Sequence, residues 1–427
     1  MSQHRELRAA AEAVLRQNDR GGYTVPSAKL YPHQWNWDSA FCAIGWAHLD
    51  PRRAARELVM LLRGQWKDGL IPHIVFNPEA ESYEPSPRTW KTDGAPGSPT
   101  EAKATSITQP PIAATAARVV LERAGGDAEV ESMIRRTAEG LERWHQWFAD
   151  TRDPGGDGVP CIVHPWESGM DNAPRWDAAI HRIEPRDVRY TRKDDTIIDA
   201  SMRPTSFEYD RFFFIVDERA RLGFAPPRPE TEPFLVADVS LASILCRAEA
   251  DLAWLAGALG IESRAAARRE RLAQGIQTRL YDPATATYHD FDAKTREDIV
   301  TDHVGMMIPI FAGIAPPAAV EHHARRLADP DGFGAPYPVP SVPLSDPKVE
   351  PRRYWRGPSW VNVDWMLIEG LRAAGRGALA DDLRDRTIAL VEKSGFFEYF
   401  DPRTGDGLGA PAFSWTAALV IDLLERR

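Results

Sequence analysis

The chain has 427 residues, 43% of them hydrophobic and 27% charged, with a formal net charge of −10. Such a composition excludes a disordered or fibrous chain, and the acidic balance, with a pI near 5.6, disfavours nucleic acid, whose binders carry a basic stripe. Cys42, Cys161 and Cys246 lie far apart, with no CxxC and no even set, so neither a disulfide framework nor a structural zinc site is expected, and a cytoplasmic setting fits.

Residues 5–17 read as a charged amphipathic helix without the apolar stretch of a signal peptide, and no window of 18 uninterrupted apolar residues suggests a membrane span. Apolar residues at i, i+3, i+4 spacing predict further helices over 39–49, 52–66, 111–123, 130–149, 207–222, 239–259, 263–280, 304–311, 317–327, 360–374, 378–392 and 415–424. Strand signals are confined to short pieces, 71–76 and 287–291. The expectation is an all-α chain. Moderate helices without heptads bury one another's apolar stripes when paired hairpin by hairpin in two concentric layers. The economical closed arrangement is an (α/α)6 barrel, here a single domain over 1–427.

Three segments, 67–110, 150–205 and 329–358, are crowded with Pro, Gly, Asp and Ser and do not read as helix. They are too long for connectors and carry Trp, Tyr and Arg, so they are expected to form walls and a cap over one barrel mouth. A weak echo links LYDPATATYHDFD (280–292) and EYFDPRTGDGLG (398–409), each placing aromatic-Asp-Pro-x-Thr after a helix. Either a repeated helical hairpin or shared Asp-Pro turn chemistry accounts for it.

The 14 tryptophans are informative, because many stand beside polar residues in loop-like stretches rather than at core spacing. Flat apolar rings beside carboxylates and amides suit sugars, which present C–H faces to aromatics and hydroxyls to polar groups. In 166–177, Asp171 stands among Trp, Gly and Pro. Burial against indoles would raise its pKa, as a general acid requires, while a turn cap at Asp171 or an ion pair between Glu167 and Arg175 is the plainer alternative. Glu398 lies between two Phe and a Tyr, where an unpaired charge is costly; a water-orienting general base and a salt bridge to Arg403 both explain it. In 31–39, Asp38 is expected as the N-cap of the following helix. Trp35 and Trp37 alternate sides of an extended segment, so one of them should line a cavity. In 353–360, Pro358 would open a helix after Gly357 and leave Tyr354 and Trp355 on the loop before it.

Together YPHQWNWDSAF, SGMDN, YWRGPSW and FEYFDPRTGDGLGAPAFSW, in that order from residue 31 to residue 415, resemble glycoside hydrolase family 63 and its trehalase relatives. The compact length is similar to the bacterial mannosylglycerate and glucosylglycerate hydrolases. The resemblance implies the (α/α)6 barrel and an inverting mechanism, with Asp171 as acid and Glu398 as base. It also implies Tyr31, Trp35, Trp37 and Asp38 around the sugar ring with Gln109 and Trp166 nearby, and Tyr354, Trp355 and Trp360 as walls. Arg203, Tyr209 and Tyr83 are implied as the groups that receive the aglycone, a planar guanidinium suiting a glycerate carboxylate.

Among the histidines there is no HExxH or comparable cluster, and there is no Walker loop or GxGxxG, so neither a metal nor another cofactor is expected. The expected partner is a small glycoside, without nucleic acid or membrane; a homo-oligomer is compatible with the sequence. Other readings are an α-glucosidase or trehalase-like enzyme, a sugar 2-epimerase on the same barrel, which would need paired histidines at the mouth, and a catalytically silent sugar-binding protein.

Overall fold

The computed structural model describes residues 2–80, 83–192 and 194–426. Glu81, Ser82 and Lys193, inside two of the expected cap segments, and the two terminal residues of the expected domain lie outside the described residues.

Helix dominates. The helices named here are α1 (Ser2–Asn18), α2 (Asn36–Trp46), α3 (Pro51–Leu61), α4 (Ala113–Arg123), α5 (Ala128–Thr151) and α6 (Val239–Leu259), then α7 (Ala265–Arg279), α8 (Ile308–Phe311), α9 (Pro317–Ala328), α10 (Val361–Ala373), α11 (Gly377–Ser394) and α12 (Ser414–Glu425). Contacts run α2 to α4, α4 to α6, α6 to α8, α8 to α10, α10 to α12 and back from α12 to α2, so the even-numbered helices form a closed ring. Outside it, α1 packs on α12, α3 on α2, α5 on α4, α7 on α6 and α11 on α10.

The two layers follow from composition. Every residue of α2 is buried, as are nearly all of α12 and α10; a helix covered on all sides must be apolar or small almost all round. The outer helices are amphipathic: α3 buries Ala54, Ala55, Leu58 and Leu61 while its arginines face outward or pair. Small residues set the ring's tightness. A Cβ on Gly45 would stand 2.4 Å from Ala418 Cα, and one on Gly370 would stand 2.6 Å from the Phe311 backbone nitrogen, so glycine is needed where α2 meets α12 and where α10 meets α8.

Helix positions agree with the sequence reading to within a few residues, and 239–259 coincides with α6. The exceptions have local causes. Residues 304–307 form a 3-10 turn that leads into α8. The first inner helix begins at Asn36 rather than near Ser39, so Asp38 lies inside its first turn and is not its N-cap. Trp360 precedes α10, and Pro358 lies outside the helix it was expected to open. The segments read as helix-free contain short helical turns, Pro87–Trp90, Pro165–Ser168, Pro174–Trp176, Asp177–His181, Asp194–Ile197 and Ala200–Met202.

Strands are few and short. The expected 71–76 strand shrinks to Ile74–Val75, antiparallel to Gln34–Trp35, and 287–291 divides into Thr287–Tyr288 and Asp290–Asp292. A four-stranded antiparallel sheet in the order Cys161–Ile162, Val236–Ala237, Asp290–Asp292, Glu297–Ile299 was not anticipated, nor was the hairpin Phe397–Phe400 with Gly407–Pro411. The sequence echo falls on this late hairpin and on a second one, Tyr281–Asp282 with Thr287–Tyr288: in both, the Asp before Pro accepts a backbone N–H two residues on, Ala284 to Asp282 at 2.9 Å and Arg403 to Asp401 at 2.9 Å. Both follow an outer helix, α7 and α11, so shared turn chemistry and the repeated helix pair both account for the echo.

Candidate active site

A cavity of about 150 Å³ is lined by Tyr31, Trp35, Trp37, Asp38, Tyr83, Gln109, Trp166, Asp171, Arg203, Tyr209 and Tyr354, so the structure gathers nearly all the candidate residues in one place. Each expected cap segment contributes: Tyr83 and Gln109 come from the first, Trp166, Asp171 and Arg203 from the second, Tyr354 from the third. Both Trp35 and Trp37 line the cavity. The alternation argument fails because Trp35 ends a strand and Trp37 already belongs to α2. Trp355 and Trp360 stand one layer back, stacked with ring centroids 3.8 Å apart and each 1% exposed, and they are not among the lining residues. They back Tyr354, whose ring meets that of Trp360 edge-on at 5.4 Å.

Asp171 is held on a segment anchored on both sides. Glu167 accepts Arg152 through two hydrogen bonds, 2.7 and 2.6 Å, together with the backbone N–H of Thr108 and of Val163. Arg175 donates to Asp238 at 2.8 Å and to Asp290 at 3.0 Å. The anticipated Glu167–Arg175 pair is therefore absent: each finds a different, fully buried partner. Gly169 adopts φ +69°, which turns the chain under the Trp37 indole. Asn172 accepts the backbone N–H of Trp355 at 3.0 Å, tying this segment to the third one. The Asp171 carboxyl is held only by its own backbone N–H and bonds no other described residue, so it caps no turn. Burial pushes its pKa up to about 7; the Arg203 charge opposes that rise and the Glu398 charge adds to it.

Glu398 comes from the first strand of the late hairpin. Its Oε1 accepts the Tyr31 hydroxyl at 2.9 Å and its Oε2 accepts the backbone N–H of Ala410 at 3.0 Å. The cation beside it is Arg203, with Nη1 at 3.6 Å from Oε1, and not Arg403, whose backbone N–H bonds Asp401 instead. Burial raises the Glu398 pKa, while Arg203, Ala410 and Tyr31 favour the ionised form. Asp38 is 4% exposed, and burial followed by the Glu398 charge holds its carboxyl well above the usual range. Trp37 donates its backbone N–H to the Gln109 side-chain oxygen at 3.3 Å, fixing that amide beside Asp38.

Arg203 also donates from Nε to Asp194 Oδ2 at 3.1 Å, and its guanidinium lies 4.3 Å over the Tyr354 ring. Tyr209 donates its hydroxyl to the same Asp194 oxygen at 3.0 Å. Burial disfavours the charge on Asp194, but Arg192 and Arg203 outweigh it and hold the pKa down to about 2. Sequence reasoning missed Asp194 because Arg192-Lys-Asp-Asp reads as a solvated charge run. It missed His73 as well, a cavity-lining imidazole whose burial keeps it neutral and whose Nδ1 meets the Thr105 hydroxyl at 2.7 Å. Among the described residues no group of three or more His, Cys, Asp or Glu side chains could hold a metal ion, and no helix is long and apolar enough to cross a membrane.

Asp171 on the cavity wall and Glu398, which is not among the lining residues but accepts the lining Tyr31 and stands beside the lining Arg203, are two carboxyl groups equipped for acid–base chemistry on a hydroxylated substrate. The chain belongs to a glycoside hydrolase family: the model described as "Mannosylglycerate hydrolase MGH1-like glycoside hydrolase domain" matches residues 31–416. It is 41% identical to the mannosylglycerate hydrolase of Rubrobacter radiotolerans, over 98% of this chain and 97% of that one. Identity to the glucosylglycerate hydrolase of Mycolicibacterium hassiacum is 35%, over 98% of each. Among solved structures, the family 63 mannosylglycerate hydrolase of Thermus thermophilus in complex with Tris and D-glycerate superposes with a TM-score of 0.90 at 39% identity, covering 97% of this chain and 99% of that one.

Proposed function

We propose that the protein hydrolyses α-glycosides of D-glycerate, with mannose or glucose as the sugar, by an inverting mechanism in an (α/α)6 barrel. The closed ring of six inner helices, with partners packed outside it, supports the barrel reading. The relatives named for mannosylglycerate and glucosylglycerate support the substrate class.

The observation that carries the mechanism is the contrast between the two carboxyl groups. Asp171, raised to about 7 and free of hydrogen-bond donors among the described side chains, keeps a substantial protonated fraction near neutral pH, as the acid must. It protonates the glycosidic oxygen as the C–O bond breaks. Glu398 receives a hydroxyl, a backbone N–H and a neighbouring guanidinium, which favour the anion a base must be and oppose the burial that on balance raises its pKa. It takes a proton from the water that attacks the opposite face of the anomeric carbon, and the released sugar is β-configured. Tyr31, Trp35, Trp37, Asp38, Gln109 and Trp166 hold the sugar ring, with Trp355 and Trp360 acting through Tyr354. Arg203, Tyr209 and Tyr83 take the glycerate.

The test is proton NMR of fresh reaction mixtures with mannosylglycerate, glucosylglycerate and trehalose. Early accumulation of the β-anomer from a glycerate glycoside is the expected result; release of the α-anomer first, or turnover of trehalose alone, rejects the reading.

A further inference from the structure

Arg203 and Tyr209, the groups read as receptors for an aglycone carboxylate, are already joined by a carboxylate from the protein itself. One oxygen of Asp194, Oδ2, accepts Arg203 Nε at 3.1 Å, the Tyr209 hydroxyl at 3.0 Å and Arg192 Nη2 at 2.8 Å. Asp194 lines the cavity together with Ile197, from the same short helix. A carboxylate docks on a guanidinium by two parallel hydrogen bonds to one edge, and either edge uses Nε or Nη1. On Arg203, Nε is committed to Asp194, and Nη1 faces Glu398 at 3.6 Å. A carboxylate that takes the Nε edge must therefore displace Asp194, and one that takes the Nη1 edge, which makes no hydrogen bond, meets the Glu398 charge.

Their surroundings decide which one yields. Glu398 is fixed by Tyr31 and by the Ala410 backbone inside the late hairpin. Asp194 stands on a four-residue helix and has a second holder, Arg192, which donates Nε to Oδ1 at 3.1 Å as well as Nη2 to Oδ2. Released from Arg203 and Tyr209, Asp194 would keep that two-point pair and would not become an unpaired buried charge.

We propose that Asp194 is an internal stand-in for the substrate's α-hydroxy carboxylate: it occupies Arg203 and Tyr209 and must surrender them for an anionic aglycone to bind. The proposal rests on the reading of Arg203 and Tyr209 as the glycerate receptors. It makes Asp194 a determinant of affinity, because the bound carboxylate gains only the difference between its own contacts and those it displaces.

The experiment is calorimetric titration of D-glycerate, and of glycerol as the neutral control, into the full chain and into its D194N and D194S variants, the second substitution guarding against a local folding defect in the first. Binding of D-glycerate at least fivefold tighter in either variant, with glycerol unchanged, is the expected result. D-glycerate binding that is equal or weaker in both variants overturns the proposal while leaving the glycerate reading intact, since Asp194 would then merely orient Arg203. Absence of both D-glycerate binding and hydrolysis of glycerate glycosides in every protein removes the receptor reading itself, and the proposal falls with it.

Discussion

Tyr31 and Glu398, 367 positions apart in the chain, meet in a hydrogen bond of 2.9 Å in which the phenol donates to Oε1. The bond joins the loop before the first inner helix to the hairpin before the last. Because it favours the carboxylate, its loss should raise the Glu398 pKa, and the acidic limb of the kcat/KM profile should move to higher pH in Y31F. A hydrogen bond to a charged group contributes about 1.5–3 kcal/mol, so activity at pH 5 should fall roughly tenfold or more. An acidic limb that stays in place in Y31F would separate Glu398 from the base role.

The two carboxyl groups should respond differently to the leaving group. D171N should lose about 10²–10⁴-fold in kcat on a glycerate glycoside. It should recover much of that loss on an aryl glycoside whose acidic phenol leaves without a proton. E398Q should be impaired on both substrates. Equal rescue of the two variants would contradict the division of labour.

Protonation of Asp171 also enters stability. Its pKa is raised to about 7 in the folded state from an ordinary value of 3.8, so the folded protein binds the proton more tightly and loses stability as pH rises through that interval. Asparagine cannot ionise. The Tm of D171N relative to the parent should therefore climb between pH 4 and pH 7 and level off above it, by an amount equivalent to roughly 2–4 kcal/mol. A difference independent of pH, followed by scanning calorimetry, would show that the carboxyl is solvated.

Gly169 is predicted to be intolerant of a methyl group. Its φ of +69° strains any L-residue, and a Cβ there would stand 2.5 Å from Cη2 of Trp37. G169A should be destabilised by about 2 kcal/mol or more and should lose on the order of 10²-fold in kcat/KM as the indole is displaced from the cavity wall. Chemical denaturation and steady-state kinetics read the two effects separately.

Much of this arrangement is visible in the sequence where the determinants are local. Inner helices such as 239–259 announce themselves by nearly continuous apolar or small residues, and the aromatic clusters near 31, 166 and 354 mark the cavity wall. Two-residue strands carry no periodicity, so of the sheet built on Val236–Ala237 only the 290–292 strand left a trace in the pattern. Partner choice was the other gap. The cation beside Glu398 is Arg203, nearly two hundred positions upstream, while Arg403 lies five residues away. Arg152 rather than Arg175 neutralises Glu167. Proximity along a chain is a poor guide to pairing once long segments fold back over a ring.

The contact between α2 and α12 closes that ring, and the pocket straddles the closure, since Tyr31, Trp35 and Trp37 belong to one side and Phe413, just before α12, to the other. The ring is thus clasped at the pocket. A slight parting of this clasp would disable turnover while the remaining helix pairs stay assembled, so catalytic activity should be a more sensitive gauge of incipient damage than any measure of helical content.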